Sequence, residues 1–181
     1  MFSIKGATLV AGIAAASAVP VQAEEFGRPA TPADIAAWDI AVKPDGAGLP
    51  PGRGTVVMGR EVFENNCAAC HGPTGGGGLG DRLVGGQRTL ATATPVKTVG
   101  SFWPYATTLF DYVRRAMPYQ APGTLSNDET YAVVAYTLSL NGILPPSGAL
   151  DRNSLPKVQM PNRDGFVADP HFDPATLFKG K

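Results

Sequence analysis

The chain has 181 residues, 15 basic and 15 acidic side chains, two histidines and two cysteines. This length predicts a single folded domain. A zero formal charge with no basic block argues against a nucleic-acid partner. Seventeen prolines and 22 glycines place much of the backbone in loops and extended segments.

The chain opens with Lys5, an apolar alanine-rich run from Ala7 to Val19, and Val21-Gln22-Ala23, a small-x-small cleavage site. This is the pattern of a secretory signal peptide. The run is short of the about 20 residues that span a bilayer. Residues 1–23 are therefore expected to be cleaved near Ala23, leaving an exported chain with no further membrane-crossing stretch. Residues 24–54 carry two proline clusters, Arg28–Pro32 and Pro44–Pro51, on either side of Ile35–Ile40. Proline forbids a long helix here, so an extended arm is expected, pinned to the domain by Trp38.

The first clear helix is predicted from Thr55, as N-cap, to about Asn66. Val56, Gly59, Phe63 and Cys67 share one face at helical spacing. Gly59 is a poor helix residue, and its use suggests close approach of another helix. The helix delivers Cys67-Ala68-Ala69-Cys70-His71. C-x-x-C-H is the attachment signature of a c-type haem. Two thiols on one helical turn can each form a thioether to a haem vinyl group, and the adjacent His71 can supply the proximal iron ligand. Three rival readings, a C-x-x-C redox pair, half a zinc site and chance, are weaker. A thioredoxin-like pair needs a βαβ context, and a zinc site needs four ligands where the only other histidine is His171. His171 itself reads as a surface residue. One covalently attached haem c is the expected cofactor. Its attachment needs an oxidising, exported setting, so a periplasmic location is expected.

The following Gly72–Gly80 segment is a flexible, glycine-rich loop, expected to let backbone pass close under the porphyrin. It lacks the strand and the lysine-bearing helix of a phosphate cradle. The second ring nitrogen of His71 needs an acceptor, and a backbone carbonyl near Leu83 is expected to provide it. Arg82 and Gln87 could reach a haem propionate or could be solvated loop side chains.

In the stretch Val99–Pro118, Pro104 suits a first helical turn, and Leu109, Tyr112, Val113 and Ala116 repeat at i, i+3, i+4 and i+7. Pro118 stops the helix near Met117, leaving that thioether at a helix end as the sixth ligand. Trp103, Tyr105 and Leu109 are expected to line a dry pocket. Met1 leaves with the leader, Met58 lies on the helix entering the motif, and Met160 lies in the tail. The last helix opens with Ser126-Asn127-Asp128-Glu129, a capping box, and closes at Asn141-Gly142. Tyr131, Val134, Ala135 and Leu138 form its buried stripe, predicted to cross the first helix where Gly59 and Phe63 meet Tyr131 or Tyr136. Residues 144–181 show no sustained periodicity. Ordering such arms needs apolar anchors, and Trp38, Leu155, Val158 and Phe166 are the choices.

A helix, C-x-x-C-H, a glycine-rich loop, a helix ending in Met-Pro and a capped last helix together resemble a class I cytochrome c over about residues 55–143. The resemblance implies an all-α fold, here with extended, proline-rich arms at 24–54 and 144–181. Residues 35–49, Pro95–Tyr105, Phe110–Pro118 and Leu155–Asp169 resemble, more narrowly, the cytochrome subunit of Sox-type sulfite/sulfane dehydrogenases. That family implies electron acceptance from a molybdenum-cofactor subunit and delivery to a downstream cytochrome or oxidase. Its best-known cytochrome subunit carries a second haem domain, whereas this chain has one C-x-x-C-H. The resemblance therefore implies a shorter, single-haem relative. The expected function is single-electron transfer without a catalytic site of its own, the arms framing the surface on which the dehydrogenase docks. The alternatives are a stand-alone haem enzyme (a peroxidase or thiosulfate-oxidising cytochrome), which would need an open sixth position, and a sensor module, for which no output domain is present.

Overall fold

The computed structural model describes residues 27–169. The leader, its cleavage site and His171 lie outside them. The chain divides into two units at Trp38/Asp39. The first holds α1 (Pro32–Trp38). Thr31 caps it: Asp34 N donates to Thr31 Oγ1 at 3.2 Å and Thr31 N donates to Asp34 Oδ2 at 2.9 Å. The proline that shortens this helix also starts it, because its fixed φ suits the first turn. Trp38, the expected pin of the arm, is the last residue of this helix.

The second unit is built around three helices. Thr55 caps α2 (Val56–Asn66) by accepting from Met58 N, as the sequence predicts. A single turn, α3 (Ala68–His71), follows. α4 (Ala106–Ala116) and α5 (Asn127–Leu140) complete the set. Ser126 and Glu129 form the predicted capping box on α5. Every residue of α5 from Thr130 to Leu138 is buried, so this is the central helix of the core.

α2 crosses α5 at Gly59. A Cβ there would lie 1.8 Å from Ala132 O, so only glycine lets the two backbones meet. Phe63 then meets Tyr136 edge-on, with ring centroids 5.4 Å apart. α4 packs on α5 through Phe110, whose ring lies 4.5 Å from that of Tyr131.

Two three-residue strands add a short antiparallel ladder. β1 (Arg53–Thr55) pairs with β2 (Ala149–Asp151), Gly54 opposite Leu150. After β2 comes one 3₁₀ turn at Leu155–Lys157. Leu150, Leu155 and Met160 belong to the core, at 2%, 0% and 3% exposure. Leu155 is thus an anchor as expected and Val158 packs partly buried against the core, whereas Phe166 stays 54% exposed. Among the described residues, no helix is long and apolar enough to cross a membrane.

The segment from Ile40 to Pro50, a strap without helix or strand, must satisfy its backbone groups by other means. Turns within the segment supply some, Lys43 N donating to Ala47 O, Gly46 N to Lys43 O and Leu49 N to Gly46 O, and side chains supply others. Val42 N donates to Asp111 Oδ1 (2.8 Å), Thr107 Oγ1 donates to Pro44 O (3.1 Å) and Arg114 Nη1 donates to Ile40 O (3.2 Å). Arg152 Nη2 reaches Leu49 O (3.1 Å) and Tyr131 Oη reaches Pro50 O (2.9 Å).

Candidate haem site

Cys67 ends α2 and starts α3. The Cys70 and His71 amides both donate to its carbonyl, at 3.1 and 2.9 Å, which holds the C-x-x-C-H motif in one turn. The thiols are not joined to each other. In the bare polypeptide, burial pushes the Cys67 thiol up to about 11, and Cys70 beside it adds to the shift.

The glycine-rich loop is stitched to this turn rather than loose. Gly77 N donates to His71 O and Gly80 N to Cys70 O, both at 2.8 Å, while Leu83 N donates to Gly75 O at 2.9 Å. Gly80 lies against the imidazole, where a Cβ would stand 3.0 Å from His71 Cε1. The loop brings the Asp81 carbonyl to 2.7 Å from His71 Nδ1. A carbonyl only accepts, so Nδ1 carries the proton and the Nε2 lone pair is left to bind a metal. The acceptor is a backbone carbonyl near Leu83, as expected, that of Asp81.

α4 begins one residue after Tyr105, an extended N-cap at φ −135° and ψ 133°. Pro104 therefore precedes the helix instead of occupying its first turn. At the other end Met117 is the C-cap, extended at φ −125° and ψ 149°, as Pro118 requires. Leu109, Tyr112 and Val113 of the stripe line a cavity, Leu109 being buried in the core as well, while Ala106, Thr107, Phe110 and Asp111 are buried away from the cavity.

That cavity, of about 610 Å³, is lined by Cys67, Cys70, His71 and Met117 together. Phe63, Leu109 and Val133 give it apolar walls. Trp103 and Tyr112 stand at its side, edge to face with centroids 5.9 Å apart. Arg82 and Lys97 add two cations, and Arg82 Nε is held by Gly76 O at 3.2 Å. Of the residues singled out in the sequence, Tyr105 is not brought to the cavity; its ring lies under the Arg163 guanidinium, 5.1 Å away. Gln87 is turned to Asn141 instead. Lys97 and Val133 were missed: Lys97 lies in a segment without periodicity, and Val133 sits beside, not on, the stripe assigned to α5. Among the three described methionines, Met117 alone lines the cavity. Met58 is 47% exposed on α2, and Met160 is in the core.

The volume falls within the range of cofactor pockets. Two thiols on one turn, a histidine with a fixed tautomer and a thioether facing one apolar cavity form a donor set that fits a haem c.

The sequence comparisons agree with this geometry. A family profile described as "Cytochrome C oxidase, cbb3-type, subunit III" matches residues 54–136. The chain belongs to the class I c-type cytochromes, and haem c is the cofactor that membership implies. Its structure is similar to a chain in the crystal structure of the sulfane dehydrogenase SoxCD from Paracoccus pantotrophus, with 42% identity and a TM-score of 0.76 over 88% of this chain and 79% of that one. A search of curated proteins gives no match.

Proposed function

We propose that this cytochrome is the periplasmic, single-haem, electron-accepting subunit of a molybdenum-dependent sulfite or sulfur dehydrogenase, passing electrons on to a downstream cytochrome or oxidase. The single observation that carries the reading is the convergence of Cys67, Cys70, His71 and Met117 on one cavity in a chain 42% identical to part of a sulfane dehydrogenase.

A haem c bound here supplies a one-electron couple between ferric and ferrous iron. The residues of the chain do the rest. Cys67 and Cys70 would fasten the group, and the Asp81 carbonyl leaves the Nε2 nitrogen of His71 to ligate it. Phe63, Leu109 and Val133 would give it apolar walls, and Met117 would offer its iron a neutral thioether, which raises the potential. With that thioether bound the iron would have no site for substrate, so oxidation of the sulfur compound is assigned to the partner. Leu79 and Tyr119, exposed at 94% and 78%, lie among the cavity-lining residues and offer apolar contact to that partner.

The test mixes the oxidised haem protein with the molybdenum subunit of a sulfane dehydrogenase. Addition of the sulfur substrate should then bleach the oxidised spectrum within the turnover time of the enzyme. Reduction by substrate alone, at the same rate without the partner, would overturn the assignment in favour of a stand-alone enzyme.

A further inference from the structure

Asp111 is a buried carboxylate that the haem site does not use. It is 8% exposed and does not line the cavity. Burying a carboxylate is costly unless its oxygens are met by donors. Here Oδ1 accepts from Val42 N at 2.8 Å, across 69 positions of sequence, and from Arg115 Nε at 3.1 Å, while Oδ2 pairs with Arg115 Nη2. Met117 follows six residues later, about 9 Å along the same helix axis.

We propose that Asp111 is a positioning residue for Met117, acting by locking the Ile40–Pro50 strap onto α4. The inference rests on Met117 being the sixth ligand. One side of α4 faces the cavity and α5 through Leu109 and Phe110. Another side meets the strap at three hydrogen bonds, from Thr107, Asp111 and Arg114. The strap cannot give way with the helix, because Tyr131 on α5 holds Pro50 O and Arg152 holds Leu49 O. Pro156 of the 3₁₀ turn also fills the space beside Gly46. α4 is thus held from two directions against sliding along its axis, the motion that would withdraw the thioether at its end. Of the three ties, the one to Val42 is the most buried, and it is the one whose loss strands an amide.

Imidazole competes with the Met117 thioether for the ferric haem, so its affinity reads how firmly the thioether is seated. The experiment titrates imidazole into the oxidised holoprotein of wild type, Asp111→Ala, Asp111→Asn and Arg115→Met, with helix content followed by circular dichroism. Asp111→Ala removes the acceptor for Val42 and should raise imidazole affinity about tenfold, at unchanged helix content at 25 °C. Asp111→Asn keeps an acceptor oxygen, Arg115→Met keeps the carboxylate, and both should stay within about twofold of wild type. An Asp111→Ala protein that binds imidazole like wild type, whatever its melting temperature, overturns the proposal. So does an equal rise in Arg115→Met, which would assign the effect to the ion pair. If Asp111→Ala does not fold, Thr107→Val cuts the neighbouring tie to Pro44 O and should raise the affinity about threefold; no rise there overturns the proposal as well. Met117→Ala separates the two readings. If it retains the sulfur-to-iron near-infrared band, the ligand assignment fails; if it loses the band while Asp111→Ala leaves imidazole affinity unchanged, only the strap fails.

Discussion

Replacing Met117 by alanine removes the thioether but neither cysteine, so haem should stay attached while the near-infrared band disappears and the potential falls. Retention of that band, or its loss in Met160→Ala instead, would contradict the assignment. Tyr131 carries a pH signature. Burial pushes its phenol up to about 12, with smaller effects downward from Arg152 and upward from Asp151. An unfolded tyrosine ionises near pH 10. The folded state thus keeps the neutral form where the unfolded state would lose its proton. The resulting stabilisation is fully present below about pH 10 and is lost as pH rises through about 12. Tyr131→Phe also loses the hydrogen bond to Pro50 O. It should cost about 1 kcal/mol at neutral pH and flatten the stability curve between pH 10 and 12, measured by urea unfolding. At this scale two features of the cavity were legible: the C-x-x-C-H turn by its spacing, and Met117 because Pro118 marks a helix end. The Asp81 carbonyl was located only as one near Leu83, since the path of a glycine-rich loop leaves no periodic trace.

The helices show how far periodicity reaches. It located α2 and α5 and their crossing at Gly59, because a glycine among apolar residues at helical spacing marks a contact between backbones. Gly59→Ala would set its new methyl against Ala132 O and Tyr136 Cβ. The helices must part, at a cost of about 1–3 kcal/mol, seen as a lower melting temperature. On α4 periodicity located the helix and its apolar stripe but not what the stripe meets: Leu109, expected at the pocket, lines the cavity, and Tyr112 and Val113 join it there. An apolar cofactor and an apolar core ask for the same residues, so the pattern cannot tell them apart. The same helix starts later than expected, and that shift leaves Tyr105 outside the cavity. The β1–β2 ladder was not foreseen, because three-residue strands are too short to show alternation.

Within the unit that starts at Asp39, the proline-rich flanks supply apolar anchors as the sequence asks of them: Val42 and Leu49 on one side and Leu150, Leu155 and Met160 on the other are buried in the same core. Proline marks irregular backbone, and irregular backbone can still be packed if side chains satisfy it, as they do for the strap. Leu155→Ala should therefore cost about 2–5 kcal/mol despite lying beyond the last helix. A chain ending at residue 143 should fail to give a cooperative thermal transition, where a dispensable tail would leave it unchanged. The ladder has a further consequence for assembly. Pairing Arg53 with Asp151 closes a loop that contains Cys67, Cys70, His71 and Met117. A chain that emerges from its N-terminus presents all four before β2 exists to pair with β1. Closing so long a loop costs chain entropy that only the finished ladder offsets, so the ring around these four residues shuts only once the final stretch is present.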